Sequence, residues 1–220
     1  MEYRIGFIHA TPNGIQPMMN ALNNQTTKID CLHFLDEGLL DEVNSSGSVS
    51  KKLVRRLIKL IEKAEASNVD GVALSCSSFT PYVPLVEQLF DFPIVSVDYA
   101  MLEKAVEMGS NIGVIATVGA AGPTTTNLVY SIAHQTEKPV TVYTETLIEA
   151  SKALKMGEVE KHDQMIQQKI KELSSFCDVI IIAQLSMTRA LNDLEPIPVP
   201  ILSSAETSVS SLLSKLSILK

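Results

Sequence analysis

Short apolar runs alternate with amphipathic stretches along the whole chain. Residues 5–8, 29–35, 71–74, 94–97, 112–116, 140–143, 179–183 and 201–202 read as strands. Residues 51–66 place Leu53, Val54, Leu57, Ile58 and Ile61 at helical spacing beneath a basic outer face. Residues 102–108, 124–134, 159–173 and 207–216 read as further helices, the second of them following Pro123. Nearly continuous apolar strands alternating with helices predict an α/β fold with parallel-type sheets covered on both faces.

The pattern repeats once. Ile5-Gly6-x-Ile8 returns as Ile112-Gly113-x-Ile115, 107 positions on. Asp70 and the apolar run behind it return as Asp178 and residues 179–183, and Ser78 and Thr80 fall on Ser186 and Thr188. Pro93-Ile94-x-Ser96 returns as Pro200-Ile201-x-Ser203. Parallel strands resemble one another, but the shared Asp, Ser, Thr and Pro positions go beyond that likeness. Two α/β halves of roughly 100 residues each, related by a pseudo-two-fold, are expected. In such halves the loops at the carboxyl ends of the strands face a crevice where ligands bind.

Composition narrows the class. The 220 residues are 45% hydrophobic and 20% charged, as in an ordinary soluble globular protein, with a net charge of −7. No basic run exceeds a Lys or Arg pair, so nucleic acid and anionic membranes are not expected partners. The uncharged stretch 108–136 is broken by four glycines and Pro123, which is unlike a membrane span. Three cysteines and four histidines show no zinc spacing, and no phosphate loop or dinucleotide fingerprint occurs, so neither metal nor cofactor is expected. The odd cysteine count and the lack of an apolar leader predict a reducing cytoplasm.

Candidate chemistry sits in the loops after the strands. Cys76 ends the third strand, ahead of Ser77, Ser78 and a helix-like segment. A helix N-terminus there would stabilise a thiolate, and its N–H groups with the two hydroxyls would hold a carboxylate. The plain alternative is a small buried hydrophobe. Thr124-Thr125-Thr126 after Gly122-Pro123 read either as a helix cap or as a second anion contact. His9 ends the first strand and is either a crevice residue or a satisfied half-buried histidine. His162-Asp163, early in a long helix, read locally as a solvated cap. Asp36-Glu37 read as a turn with helix-capping carboxylates, and Cys31 and Cys177 as core.

The duplicated halves and the segment Val69-Asp70-Gly71-Val72-Ala73-Leu74-Ser75-Cys76-Ser77-Ser78-Phe79-Thr80 resemble the aspartate/glutamate racemase superfamily, which includes glutamate and hydantoin racemases, arylmalonate decarboxylase and maleate isomerase. Ala116-Thr117 with its Thr-rich turn and Pro93-Ile94-Val95-Ser96 add to the likeness, which covers essentially the whole chain. In those racemases two cysteines face each other across the substrate Cα. Cys76 matches the first, and the repeat puts the second at residue 184, which is Gln. Ala183-Gln184-Leu185-Ser186-Met187 is similar to a branch of the superfamily with this pattern, as are His162-Asp163 and Asp36-Glu37. Some members of that branch are labelled arylsulfatases, but the Cys-x-Pro-x-Arg segment that label requires is missing at Cys76.

The resemblance implies cofactor-independent chemistry on a small carboxylate, as a racemase, isomerase or lyase, with Cys76 as base or nucleophile. Gln184 would donate a hydrogen bond to a carboxylate or enolate, and His9 or His162 would supply a second proton. Thr11, Ser77, Ser78, Thr117, Thr125 and Ser186 would line the site. Two other readings stand beside it: a carboxylate-binding protein without turnover, and a Cys-dependent hydrolase with His9 or His162 as its base. The resemblance also implies that the closing helix returns to the first half, so the halves would be residues 1–97 with 205–220 and residues 98–204. Many proteins of this fold pair, which makes a homodimer the implied assembly, although no exposed apolar stripe argues for one.

Overall fold

A computed structural model describes residues 2–23, 25 and 27–218. The first strand, β1 (Glu2–His9), is followed by a 310 turn at Pro12–Gly14, α1 (Ile15–Asn23), β2 (Lys28–Leu35), α2 (Glu37–Ser46) and α3 (Lys51–Glu65). Then come β3 (Gly71–Leu74), a 310 turn at Ser77–Tyr82, α4 (Val83–Glu87), β4 (Ile94–Ser96) and α5 (Tyr99–Met108). The order repeats as β5 (Asn111–Ala116), α6 (Ala121–Gln135), β6 (Thr141–Thr146), α7 (Ile148–Lys155), α8 (Val159–Leu173), β7 (Val179–Ile182), a 310 turn at Leu185–Leu191, β8 (Ile201–Ser203) and α9 (Ser204–Ile218).

The strands form two four-stranded, wholly parallel sheets with the same topology, β2-β1-β3-β4 and β6-β5-β7-β8. The chain divides into two compact units, Met1–Ala100 with Ala205–Lys220, and Met101–Ser204. Helix α9 belongs to the first unit: Leu212 lies over Gly71, and Lys215 pairs with Glu87.

Side-chain alternation explains how each sheet is covered. In the second unit Ile112, Val114, Val179 and Ile181 point to one face and pack with Met101, Leu102, Val129 and Ile132 of α5 and α6. Ile115, Ile180 and Ile182 point to the other and pack with Ile166, Ile170 and Leu173 of α8. Every residue of β3 and β7 is buried, which is why both read as unbroken apolar runs.

The repeated aspartates have a shared structural purpose. Asp70 Oδ2 accepts the backbone N–H of Arg4 at 2.8 Å, and Asp178 Oδ2 accepts those of Ser110 and Asn111 at 2.9 and 2.7 Å. Each carboxylate satisfies N–H groups at the start of the neighbouring strand.

Several local expectations are corrected. The segment after Cys76 is a six-residue 310 turn that contains Pro81 and runs into the short helix α4. Helix α6 begins at Ala121, so the threonine triplet lies inside its first turns and does not cap it. Thr126 Oγ1 instead donates back to the carbonyl of Gly122 at 2.9 Å. His162 is no solvated cap, being fully buried in α8 beneath the loop that carries Arg189. Cys177 is core, but Cys31, on the edge strand β2, is only half-buried.

Candidate active site

In the first unit the carboxyl ends of β1 and β3 lie side by side, Ile8 opposite Leu74. That register brings His9 beside Ser75, the residue before Cys76. Cys76 lies two residues beyond β3, in extended conformation at the head of the 310 turn, and is partly accessible. Hydrogen bonding from Ser78 and, least of all, from the Phe79 backbone favours the thiolate, although the Phe79 N–H donates to the Cys76 carbonyl at 3.0 Å. Burial nevertheless dominates and pushes the thiol up to about 11, with the Asp98 carboxylate adding to the rise. At neutral pH Cys76 therefore rests as a thiol.

Asp98 was not recognised in the sequence. It is buried, and it belongs to a closed set of hydrogen bonds at the end of β4. Its N–H donates to Ser96 Oγ at 3.2 Å, Ser96 Oγ lies 2.5 Å from Thr80 Oγ1, and Thr80 Oγ1 donates to Asp98 Oδ2 at 3.2 Å. The available signal was a polar pair, Ser96 and Asp98, closing an otherwise apolar strand.

His9 is fully buried with both ring nitrogens engaged, Nδ1 at 2.7 Å from Ser75 Oγ and Nε2 at 2.9 Å from His33 Nδ1. Ser75 Oγ also lies 3.1 Å from the carbonyl of Ile8, which accepts the Ser75 backbone N–H at 2.9 Å. Burial, with the neighbouring His33, lowers His9 to about 4 and keeps it neutral. Its partners are Ser75 and His33, not Cys76, so no Cys76–His9 dyad exists. Thr11 caps the 310 turn at Pro12–Gly14 and is partly exposed, as are Ser77 and Ser78.

In the second unit, β5 and β7 make the corresponding pair of ends. Gln184 Oε1 accepts the backbone N–H groups of Thr117 and Val118 at 2.6 and 3.2 Å and the Thr117 hydroxyl at 3.0 Å. Three donors on one oxygen fix the amide's orientation and leave the two hydrogens of Nε2 outside this set of bonds. Thr117 and Thr125 are buried and Ser186 is half-buried.

His162 Nδ1 lies 2.7 Å from Asp163 Oδ1, and the Arg189 guanidinium grips Asp163 at 2.8 and 3.1 Å. Although burial opposes it, Arg189 and His162 together hold the Asp163 carboxyl below its usual range. His162 Nε2 is buried without a partner among the described residues. Among the described residues no group of three or more His, Cys, Asp or Glu side chains is placed to hold a metal, and no helix is long and apolar enough to cross a membrane.

A model of the Asp/Glu/hydantoin racemase family matches residues 21–212. No curated protein sequence matches the chain significantly. Among solved structures, an aspartate racemase from Picrophilus torridus superposes with a TM-score of 0.74 at 12% identity, over 98% of this chain and 94% of that one. A glutamate racemase from Bacillus anthracis gives 0.72 at 14% identity, over 99% and 82%. An allantoin racemase from Klebsiella pneumoniae gives 0.65 at 12% identity, over 98% and 88%. At these identities the structural likeness is one of fold.

Proposed function

The chain belongs to the Asp/Glu/hydantoin racemase family, and from that membership we propose a cofactor-independent enzyme that moves a proton at the carbon next to a carboxylate, with Cys76 as its proton-handling group. The observation that carries this reading is the surroundings of the Cys76 sulfur. The thiol is raised to about 11 by burial, while hydrogen bonding from Ser78 and the Phe79 backbone pulls toward the thiolate. A group poised in this way gives its proton to a carbanion and is stabilised as a thiolate when it does.

The acid form at rest suits a lyase or isomerase that protonates an enolate better than a racemase whose first step needs a resting thiolate. Gln184 stands where the repeat would place a second cysteine, and its amide has no acid–base capacity at neutral pH. Its role in this reading is that of a hydrogen-bond donor, through Nε2, to a carboxylate or developing enolate. Thr11, Ser77, Ser78, Thr117, Thr125 and Ser186 are the proposed substrate-binding set. His9, held between Ser75 and His33, acts as a positioning residue for the strand end that carries Cys76. The hydrolase reading loses His9 as its base, because His9 is bonded to Ser75 and His33 and not to the sulfur, and keeps His162 as its other candidate base.

The test is proton NMR in deuterated buffer on amino acids, hydantoins, 2-substituted malonates and maleate, with Cys76→Ala as control. Loss of a Cα signal or appearance of a product with the wild type alone supports the reading. Silence across the panel, with carboxylates still raising the melting temperature of both proteins equally, would replace it with a binding protein.

A further inference from the structure

His162 is a polar residue at a core position. Helix α8 buries His162, Ile166, Ile170 and Leu173 along one face, and Ile166 and Ile170 pack with Ile115, Ile180 and Ile182 of β5 and β7. Helix α3, its counterpart in the first unit, buries Leu53, Leu57, Ile61 and Ala64 at the same spacing. The repeat therefore sets His162 against Leu53, and the architecture itself asks only for an apolar side chain there. The position lies at the ligand end of the second sheet. Helix α8 returns the chain between parallel strands, so it runs against them and starts near their carboxyl ends. Its partner Arg189 belongs to the 310 turn that follows β7, and Gln184 stands immediately before that turn.

The ring is held in one tautomer. Although burial opposes it, Arg189 keeps Asp163 ionised, and a carboxylate can only accept. The hydrogen shared at 2.7 Å therefore sits on His162 Nδ1. In the neutral ring Nε2 is then a bare lone pair, buried without a partner among the described residues. A buried histidine kept only for packing satisfies both nitrogens, as His9 does. In His162 one nitrogen is bonded through a carboxylate to a guanidinium, and the other is left open.

Resting on the reading of Cys76 as a proton donor, we infer that His162 is the catalytic base that takes the proton from the carbon next to the substrate carboxylate, so that the reaction is an isomerisation and not a decarboxylation. The C–H bond breaks, the proton goes to Nε2, and the electron pair passes into the enolate. Asp163 stabilises the imidazolium that forms. The Cys76 thiol then gives its proton to the carbon and becomes a thiolate. Before the next turnover the imidazolium loses its proton to solvent and the thiolate regains one, so the ledger of protons closes and no electrons are gained or lost. Such a reaction needs an acid and a base that are both ready at rest. Cys76 supplies the first, and His162 supplies the second in place of Gln184, which can be neither.

His162→Leu copies the residue of the first unit and is the variant to make. A polar group kept for chemistry is a liability to folding, so His162→Leu should melt no lower than the wild type. In proton NMR in deuterated buffer on amino acids, hydantoins, 2-substituted malonates and maleate, it should lose Cα exchange by about a hundredfold or more. Asp163→Asn, which keeps the ring, should lose less. His162→Ala should regain exchange when imidazole is added, a rescue that a packing role would not show. With Cys76→Ala the buried ring can only hand the same proton back, so that variant stays silent. If the wild type is active and Cys76→Ala is not, yet His162→Leu works at the wild-type rate, His162 loses this role and the reading of Cys76 stands. A lowered melting temperature in His162→Leu, with no imidazole rescue of His162→Ala, also overturns it by marking a structural histidine. A wild type silent on the whole panel overturns both.

Discussion

Gln184 Oε1 accepts the backbone N–H of Thr117 at 2.6 Å, so the amide that follows β7 is locked to the neighbouring strand end. Thr117 and Val118 consume only the oxygen. Gln184→Glu keeps an acceptor for these donors but replaces Nε2 with a second anionic oxygen. Affinity for carboxylates should then fall by about tenfold to a hundredfold, a loss of ~1.4–2.8 kcal/mol, while folding is retained. Isothermal titration with a carboxylate that stabilises the wild type measures it. Unchanged affinity would remove Gln184 from the binding role.

Cys76 should resist alkylation at neutral pH. With a thiol near 11, roughly one molecule in ten thousand carries the thiolate at pH 7. Its iodoacetamide labelling rate, read peptide by peptide to separate it from Cys31 and Cys177, should rise tenfold per pH unit through pH 10. Asp98→Asn takes away the buried carboxylate that raises the thiol and keeps a polar group for Thr80. Its labelling curve should move to lower pH. A curve that stays in place would show that burial alone sets the thiol.

The duplication was legible because it is written in residues with strict backbone duties. Asp70 and Asp178 each satisfy N–H groups at a strand start, and Gly6 and Gly113 each let a helix lie close. Cys76 and Gln184 were legible for a related reason, since the end of an apolar run marks a strand's carboxyl end. Their surroundings were hidden. His33 lies 24 residues from His9, and Asp98 lies 18 from Thr80. Packing between separate elements joins them, and no local pattern encodes such contacts. Helix α1 escaped notice because it carries no charged residue and contains Pro17, which blurs its periodicity. The burial of His162 was hidden as well, because the covering loop lies 23–29 residues further along and is tied down by Arg189.

The paired glycines should differ in their tolerance of a methyl group. A Cβ on Gly6 would stand 3.1 Å from Ala64 Cβ, an atom fixed to the α3 backbone. On Gly113 the nearest atom, at 3.2 Å, is Leu173 Cδ1, the free end of a flexible side chain. Gly6→Ala should cost about 1–3 kcal/mol in urea unfolding, and Gly113→Ala less. Equal costs would mean that α3 shifts as readily as a leucine rotamer turns.

His9 should make the protein acid-sensitive well above the carboxylate range. Folding lowers this histidine from 6.5 to about 4, chiefly by burial and secondarily through His33. Between those values the unfolded chain binds a proton that the folded chain refuses, so stability must fall as pH falls. The contribution is fully present above pH 6.5 and is lost progressively down to pH 4, amounting to about 3 kcal/mol. Urea unfolding at half-unit steps from pH 7 to pH 4 measures the slope, with His9→Gln as the comparison. The variant loses the bonds to Ser75 and His33 and should start out less stable, but its stability should vary less with pH across this window. Parallel slopes in the two proteins would place the acid sensitivity elsewhere and return His9 to an ordinary buried histidine.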